Sequence, residues 1–394
     1  MNGLYLLVAI ALTLPGLWLR LSNGHPAAPL AALVFGLAVL GAAFLLSWAA
    51  EVAQLEVSQA LAVAALALIA VLPEYAVDLY YAWAAAERPT YIAYAAANMT
   101  GANRLLVGVG WPLIAGLFAL RFRRALRLEP GHRVEVAFLA LATIYAFLLP
   151  LKGDISLVDG VVLVGLFVTY VWRSAQAEHA EPELVGPARL VGGLARGRRR
   201  LVTLALFGFA GLVILLLAER FAEALVASGA ALGVDEFLLV QWLAPLASEA
   251  PEFIVAIVWT VRGQAAAALG ALLSSKVNQW SLLIGTLPVA YSVGLGHPAA
   301  LPLDGRQQDE VLLTAAQSLL GVAILVDLLV ARWEMAVLFG LFVVQFIFPD
   351  IRLAASGAYI LLGLVLLLRK RACLPPLVKE VFGRDRATAS RPAS

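Results

Sequence analysis

The amino-acid sequence predicts an all-α membrane protein of about 12 transmembrane helices, arranged as a 5+5 inverted repeat with one flanking helix at each end. Three observations predict this fold: the composition is strongly apolar, Lys and Arg collect in alternate loops, and short sequence words recur in two halves of the chain. Internal repeats of opposite orientation are common in secondary transporters.

The composition excludes an ordinary cytosolic globule. Of 394 residues, 62% are hydrophobic and 14% are charged, with a mean hydropathy of +0.90, whereas about a quarter of the residues in a soluble domain are charged. One cysteine, Cys373, and four scattered histidines predict neither a disulfide framework nor a His/Cys metal site. The net charge of +2 gives no reason to expect a nucleic-acid partner. We therefore expect a lipid bilayer around the chain and no bound cofactor.

Twelve stretches are long and apolar enough to be candidate spans, since a helix needs about 20 mostly apolar residues to cross a membrane. The first is predicted to be a retained helix, because no basic flank precedes it and no convincing cleavage pattern follows it. The twelve are 3–21, 28–50, 57–86, 91–120, 134–150, 155–173, 201–218, 236–261, 265–294, 309–330, 333–348 and 353–370.

The basic residues distinguish the two sides of the membrane, because Lys and Arg accumulate in cytoplasmic loops. With twelve spans, one side collects 20 of them and the opposite side six, while Arg104 and Lys276 lie inside spans. The distribution predicts that both termini are cytoplasmic. The expected location is a prokaryotic plasma membrane.

Recurring sequence words divide the chain into two halves. Glu135-Val136 recurs as Glu310-Val311, and the word GLFV at 165–168 recurs at 340–343, both at an offset of 175. When the loops are assigned alternately to the two sides, span 57–86 begins on the cytoplasmic side and span 236–261 begins on the outer side. The two halves are therefore predicted to be inverted. The predicted organisation is an extra N-terminal helix (1–27), a first repeat (28–173), a basic cytoplasmic linker (174–200), a second repeat (201–348), and an extra C-terminal helix with a basic tail (349–394).

A Pro-Glu pair lies inside one span of each half. Glu74 follows Pro73, and Glu252 follows Pro251. A carboxylate in the bilayer costs several kcal/mol and is tolerated mainly when it faces a partner, the bundle interior or water. Proline removes a helix hydrogen bond, which leaves backbone carbonyls as further oxygen ligands for a hard cation. A structural role in a kinked helix is the alternative for either copy, but two equivalent copies favour a composite cation site.

Further polar residues surround these pairs. Asp78 and Glu249 each lie within one helical turn of a Pro-Glu carboxylate. Four acids this close cannot all ionise without a cation or protons. The spans that follow contain amide and hydroxyl groups, which suit hard cations but also join helices; they are Asn98, Thr100 and Asn103 in the first half, and Ser274, Ser275, Lys276, Asn278 and Gln279 in the second.

The two motifs resemble those of the calcium/cation antiporter superfamily, the membrane domain of sodium/calcium exchangers, whose α-repeats read roughly GTSLPE followed by GN-x-x-GSN. The sequences AVLPE and NMTGAN at 70–74 and 98–103, and SEAPE and GALLSSK at 248–252 and 270–276, match these motifs in part. The resemblance covers spans 28 to 348. It implies that Glu74 and Glu252 bind Ca²⁺ as the metal ligands. Together with the neighbouring polar residues, the predicted ion-binding set is Glu74, Asp78, Asn98, Asn103, Ser248, Glu249, Glu252, Ser275 and Gln279.

Several positions depart from the motifs. Ala70-Val71 and Ser248-Glu249 replace Thr-Ser, Ala102 replaces Ser, Leu106 and Gln279 occupy the last polar positions, and Lys276 replaces Asn. Hydroxyl and amide groups associated with sodium are therefore missing. Lys276 has two interpretations: an internal cation of the site that supplies the charge of a second ion or releases a proton, or a side chain that extends to the interface.

The sequence thus predicts a secondary active cation antiporter that exchanges Ca²⁺ for Na⁺ or H⁺ by alternating access. A proton-coupled exchanger of Na⁺ or another cation, and a degenerate homologue that no longer transports, remain alternatives. An enzyme is not expected, because the loops contain no nucleophile-base set, phosphate loop or metal cluster.

Overall fold

The structure, a computed structural model, describes residues 2–22, 24–56, 71–176 and 184–382. These residues fold almost entirely into helices, which we number α1 to α17 in chain order. They are α1 Asn2–Leu21, α2 Ala28–Ala53, α3 Leu72–Ala84, α4 Tyr91–Leu105, α5 Trp111–Phe122, α6 Arg133–Ala146, α7 Leu148–Lys152, α8 Leu157–Ser174, α9 Pro187–Gly192, α10 Arg196–Leu232, α11 Glu236–Val261, α12 Ala265–Asn278, α13 Ile284–Leu295, α14 Gly305–Leu325, α15 Arg332–Ile347, α16 Arg352–Arg369 and α17 Leu374–Phe382.

Eight helical segments in the described part of the chain are long and apolar enough to cross a membrane: Asn2–Leu21, Ala28–Ala53, Tyr91–Phe122, Pro130–Lys152, Leu157–Ser174, Arg196–Leu232, Glu236–Val261 and Pro349–Arg369. The predicted spans 265–294, 309–330 and 333–348 are also helical, as α12–α13, α14 and α15. Of the predicted span 57–86, residues 57–70 lie outside the described residues, and α3 forms most of the rest.

Helix α10 is much longer than the sequence predicted. It runs for 37 residues, from within the predicted linker to Gly233, which ends it with a left-handed φ of 66°. Its length of roughly 55 Å at 1.5 Å per residue exceeds a hydrocarbon core of about 30 Å. The sequence predicts an end of this span at 218, because charged residues follow. No proline interrupts the helix there, and Glu223 pairs with Arg88 at 3.0 Å.

Two π-helical turns occupy equivalent places in the two halves. Leu106–Gly110 joins α4 to α5, and Gln279–Leu283 joins α12 to α13, at an offset of 173. Such turns insert one extra residue into a helix and are frequent at functional sites. Here they reorient the side chains that follow the second polar motif of each half.

Two short antiparallel ribbons show the same symmetry. Leu126–Arg127 (β1) pairs with Leu329–Val330 (β4), and Asp154–Ile155 (β2) pairs with Leu301–Pro302 (β3). An offset of 175 converts β1 into β3 and β2 into β4. The crossing made by α6 and α7 separates β1 from β2, so the two ribbons lie at opposite ends of the bundle.

Small residues allow close packing around α2, which contacts both α1 and α10. Ala38, Ala42 and Ala49 are fully buried, and a Cβ added at Gly41 would lie 2.6 Å from the carbonyl oxygen of Ala9. Small side chains of this kind let membrane helices approach each other closely.

Candidate cation site

One amide joins carboxylates from the two halves of the chain. The Gln279 Nε2 donates to Glu74 Oε2 at 2.8 Å and to Glu249 Oε1 at 2.7 Å. All three side chains are buried, with Glu74 and Glu249 each 2% exposed. The remaining oxygens, Glu74 Oε1, Glu249 Oε2 and Gln279 Oε1, accept no hydrogen bond from any described residue. Unused buried oxygens of this type suit a hard cation.

Asp78 and Glu252 extend the cluster. Glu249, Asp78 and Glu252 all repel the Glu74 carboxylate electrostatically. Asn98 adjoins the Asp78 carboxylate, and Ser275 adjoins that of Glu252. The four predicted acids therefore influence one another electrostatically, and negative charges at these positions require a cation or protons for balance.

Local helix geometry places these groups. Pro73 lies in the first turn of α3, and Val71 immediately precedes that helix. Helix α11 instead continues through Pro245 and Pro251, so the two Pro-Glu pairs differ in their backbone setting. Gln279 is the first residue of the second π turn, and this turn aims its amide at the acids.

Lys276 is wholly buried beside the cluster. Its Nζ donates to Asn103 Oδ1 at 2.7 Å and lies 4.2 Å from the centre of the Trp280 ring. The charges of Glu249 and Glu74 act on it, with Glu249 exerting the larger effect, although no carboxylate of the described chain lies within 4.0 Å of its Nζ. This burial does not fit a side chain that extends to an interface. Asn103 contacts Lys276 rather than the acids.

The remaining predicted ligands take different places. Ser248 Oγ donates to the carbonyls of Ala244 and Pro245 in its own helix, at 3.2 Å each. Tyr75, which the sequence analysis did not consider, donates its hydroxyl to Asn278 Oδ1 at 2.6 Å. The described residues contain no preassembled group of three or more His, Cys, Asp or Glu side chains that could hold a metal.

A cavity of about 370 Å³ reaches the cluster at Glu252. Glu252 and Ser275 line it, while Glu74 and Asp78 do not. The ends of α2, α8 and α11 surround it, at the end of the bundle that the basic residues predict to be cytoplasmic. The carboxylates of the two halves thus differ in their access to water: Glu252 is partly exposed and Glu74 is sealed.

Sequence reasoning missed two groups of residues. Glu51 and Glu135 line the same cavity as Glu252, and Arg104 forms a buried ion pair with Glu310 at 2.6 Å. Two signals were present: Glu135 and Glu310 begin a repeated word, and Arg104 was a charge inside a span. Neither signal indicates a partner, which depends on tertiary packing.

Comparison with known proteins gives the same class. The family profile described as sodium/calcium exchanger protein matches residues 27–176 and 202–349. An H⁺/Ca²⁺ exchanger named CAX has a solved structure that superposes with a TM-score of 0.93 and 48% identity, covering 96% of this chain and 97% of that one. No curated protein sequence matches significantly.

Two more distant structures share the fold. The Ca²⁺/H⁺ antiporter protein YfkE has a TM-score of 0.64 and 15% identity, with 91% of this chain and 99% of that chain covered. The sodium-calcium exchanger NCX_Mj has a TM-score of 0.53 and 18% identity, with 87% and 99% covered.

The fold and the comparisons define a multi-pass integral membrane transporter of the cation exchanger class, and not an enzyme. The chain belongs to the sodium/calcium exchanger protein family. The predicted family, the helical multi-span fold and the general function of cation exchange are confirmed.

Proposed function

We propose that the chain exchanges Ca²⁺ for H⁺, by alternating access to the buried carboxylates Glu74, Asp78, Glu249 and Glu252. The observation that carries this proposal is the acid cluster shared by the two halves, which is bridged by Gln279 and adjoins a cavity at Glu252. The solved H⁺/Ca²⁺ exchanger CAX, 48% identical over nearly the whole chain, supports this pair of ions.

Gln279 provides the first step. Its amide N–H group lies between two carboxylate oxygens, at distances of 2.7 and 2.8 Å, where a cation would be attracted. An arriving Ca²⁺ displaces this donor, and rotation of the amide turns the free Oε1 toward the ion. Protons leave the carboxylates as the divalent charge arrives, because four like charges in a buried site need that balance.

Lys276 favours protons over sodium as the coupling ion. Its buried amino group donates a hydrogen bond to Asn103 beside the cluster, and Ser248 uses its hydroxyl within its own helix. The Asn103 amide and the Ser248 hydroxyl, which the family resemblance suggests as Na⁺ ligands, therefore already hydrogen-bond to other groups of the protein. Exchange driven by Na⁺ remains the second candidate, and the experiment below distinguishes the two.

Access then alternates between two faces. In the orientation proposed from the basic residues, both termini are cytoplasmic and the cavity at Glu252 opens to the cytoplasm of a prokaryotic cell. The repeats proposed at 28–173 and 201–348 would move against each other to close this cavity and expose Glu74 to the outside. The two family matches, at 27–176 and 202–349, support this division.

The test uses purified protein in sealed liposomes. We expect an imposed pH gradient to drive ⁴⁵Ca²⁺ uptake without Na⁺, and Glu74→Gln or Glu252→Gln to abolish it. Glu87→Gln removes an exposed acid outside the cluster and is the matched control, expected to transport like the wild type. Uptake that needs a Na⁺ gradient would replace proton coupling with sodium coupling, and absence of any gradient-driven cation flux would refute transport.

A further inference from the structure

Two symmetry-related carboxylates have opposite surroundings. Glu310 and Glu135 are separated by 175 residues and begin the same repeated word. Glu310 is 1% exposed and lies 2.6 Å from Arg104 Nη2 and 2.7 Å from Arg352 Nε. It also accepts a hydrogen bond from Gln241 at 3.1 Å. Its negative charge is fully neutralised.

Glu135 has no comparable partner among the described residues. Its Oε1 lies 3.8 Å from His132 Nδ1, and its buried Oε2 accepts no hydrogen bond from them. Glu135 instead lines the cavity that ends at Glu252. The repeat thus preserves the carboxylate in both halves but neutralises only one copy with arginine.

Other helices that line this cavity add more unpartnered oxygens. Glu51, at the end of α2, is 8% exposed and accepts from the backbone N–H of Val185 at 2.9 Å, while its Oε1 has no partner within the described chain. Ser174 is 5% exposed and its Oγ is likewise unpartnered there. Both side chains line the cavity. Buried polar atoms are normally paired, so unpaired oxygens from different helices around one cavity indicate a ligand in it.

We propose that Glu51 and Glu135 form a second binding site for a divalent cation, in which the ion is held partly hydrated before it passes to Glu252. Carboxylate and hydroxyl oxygens are the ligands that hard divalent cations prefer. A cavity of about 370 Å³ leaves room for several waters, since one water needs only about 10–15 Å³. The site rests on the proposed function, because its ion is the transported one.

The site belongs to one face of the membrane only. A cleft with charges of one sign concentrates counter-ions and speeds their capture. Toward the other face, Arg104 and Arg352 form ion pairs with the equivalent acid Glu310 and neutralise its charge. The exchanger therefore captures the divalent cation with a higher apparent affinity from the cavity face.

The first measurement is ⁴⁵Ca²⁺ uptake in right-side-out and inside-out vesicles. We expect Glu51→Gln and Glu135→Gln to raise the Ca²⁺ concentration for half-maximal uptake from the cavity face about tenfold and to leave that from the opposite face unchanged. Gln can still accept the Val185 N–H, so Glu51→Gln preserves that contact. Glu87→Gln is the matched control and should change neither value.

The second measurement counts the Ca²⁺ ions bound per chain in detergent at equilibrium. The Glu51→Gln/Glu135→Gln double variant should lose the weaker ion, and Glu252→Gln should keep it. Equal half-saturation at both faces together with an unchanged count would overturn the second site. Failure of wild-type flux would instead refute the proposed function, and the binding count would still test the site.

Discussion

Glu310 and Glu135 allow one substitution to be compared at two symmetry-related places. Glu310→Gln removes the acid that Arg104 and Arg352 contact at 2.6 and 2.7 Å. Arg104 is 2% exposed, and its guanidinium also lies 5.0 Å from the centre of the Trp242 ring. The substitution therefore leaves a buried cation without its counter-ion.

The expected cost follows from this burial. Removing one partner of a buried ion pair destabilises a protein by about 3–5 kcal/mol. Glu135→Gln should cost less than about 0.5 kcal/mol, the usual range for substitutions away from such contacts, because its nearest basic group is His132 at 3.8 Å. The difference between the two variants is thus several kcal/mol for the same chemical change.

Thermal unfolding in detergent, followed by intrinsic fluorescence, measures this difference. We expect Glu310→Gln to unfold at a clearly lower temperature than the wild type and Glu135→Gln to unfold with the wild type. The double variant Arg104→Met/Glu310→Leu should recover part of the loss, since apolar residues can replace a buried pair at little cost. Equal unfolding temperatures for Glu310→Gln and Glu135→Gln would refute the reasoning.

Three further predictions concern packing, the buried lysine and the linker. Gly101→Ala places a Cβ 1.8 Å from the Gln241 carbonyl oxygen and should lower the stability by at least about 1–3 kcal/mol. Gly116→Ala adds a Cβ with nothing within 4 Å and should leave the stability unchanged. Equal unfolding temperatures for the two variants would contradict the packing of α4 on α11. Lys276→Met leaves Asn103 Oδ1 without its donor, at a cost of about 1–3 kcal/mol. It should also make Ca²⁺ uptake sensitive to added Na⁺, because it frees the place of a monovalent cation. Uptake that stays independent of Na⁺ would refute a role of Lys276 in the choice of coupling ion. Arg200 and Arg199 lower the pKa of Glu56 to about 2 from 4.5. The ion pairs that attach α10 to the end of α2 should therefore be fully present above about pH 4.5 and lost as the pH falls toward 2. The rate of protease cleavage near residue 196 measures this loss, and Glu56→Gln should abolish its pH dependence.

The sequence analysis predicted the helical spans and the acid cluster because both depend on signals that are local in the chain. Apolar length predicts a span, and a carboxylate beside proline inside a span indicates a functional group. The inverted symmetry also agrees with the π turns and the ribbons of the structure. The end of α10 was mispredicted because Arg220 and Glu223 were interpreted as a loop, although charged residues continue a helix when they find partners such as Arg88.

Other features depend on packing that a single sequence does not specify. Asn103 and Lys276 were recognised as equivalent positions in the two halves, but their hydrogen bond requires α4 and α12 to meet at the centre. The π turn at Gln279 has no clear sequence signal, and it decides where that amide points. The cavity that joins Glu51 to Glu135 combines residues far apart in the chain.

The two halves match the same family profile, and the substitutions that make them unequal lie at the proposed cation sites and at the Glu135/Glu310 pair. Lys276 occupies the position equivalent to Asn103 and donates a hydrogen bond to it, and two arginines pair with Glu310, whereas Glu135 has only His132 as a nearby basic group among the described residues. Such inequality cannot change the final Ca²⁺ gradient, because the number of ions exchanged per cycle at the central site fixes that equilibrium. It changes only the rates at which each face captures and releases the ion. A sealed vesicle with Glu135→Gln should therefore reach the wild-type gradient more slowly, whereas one with Glu74→Gln should reach none.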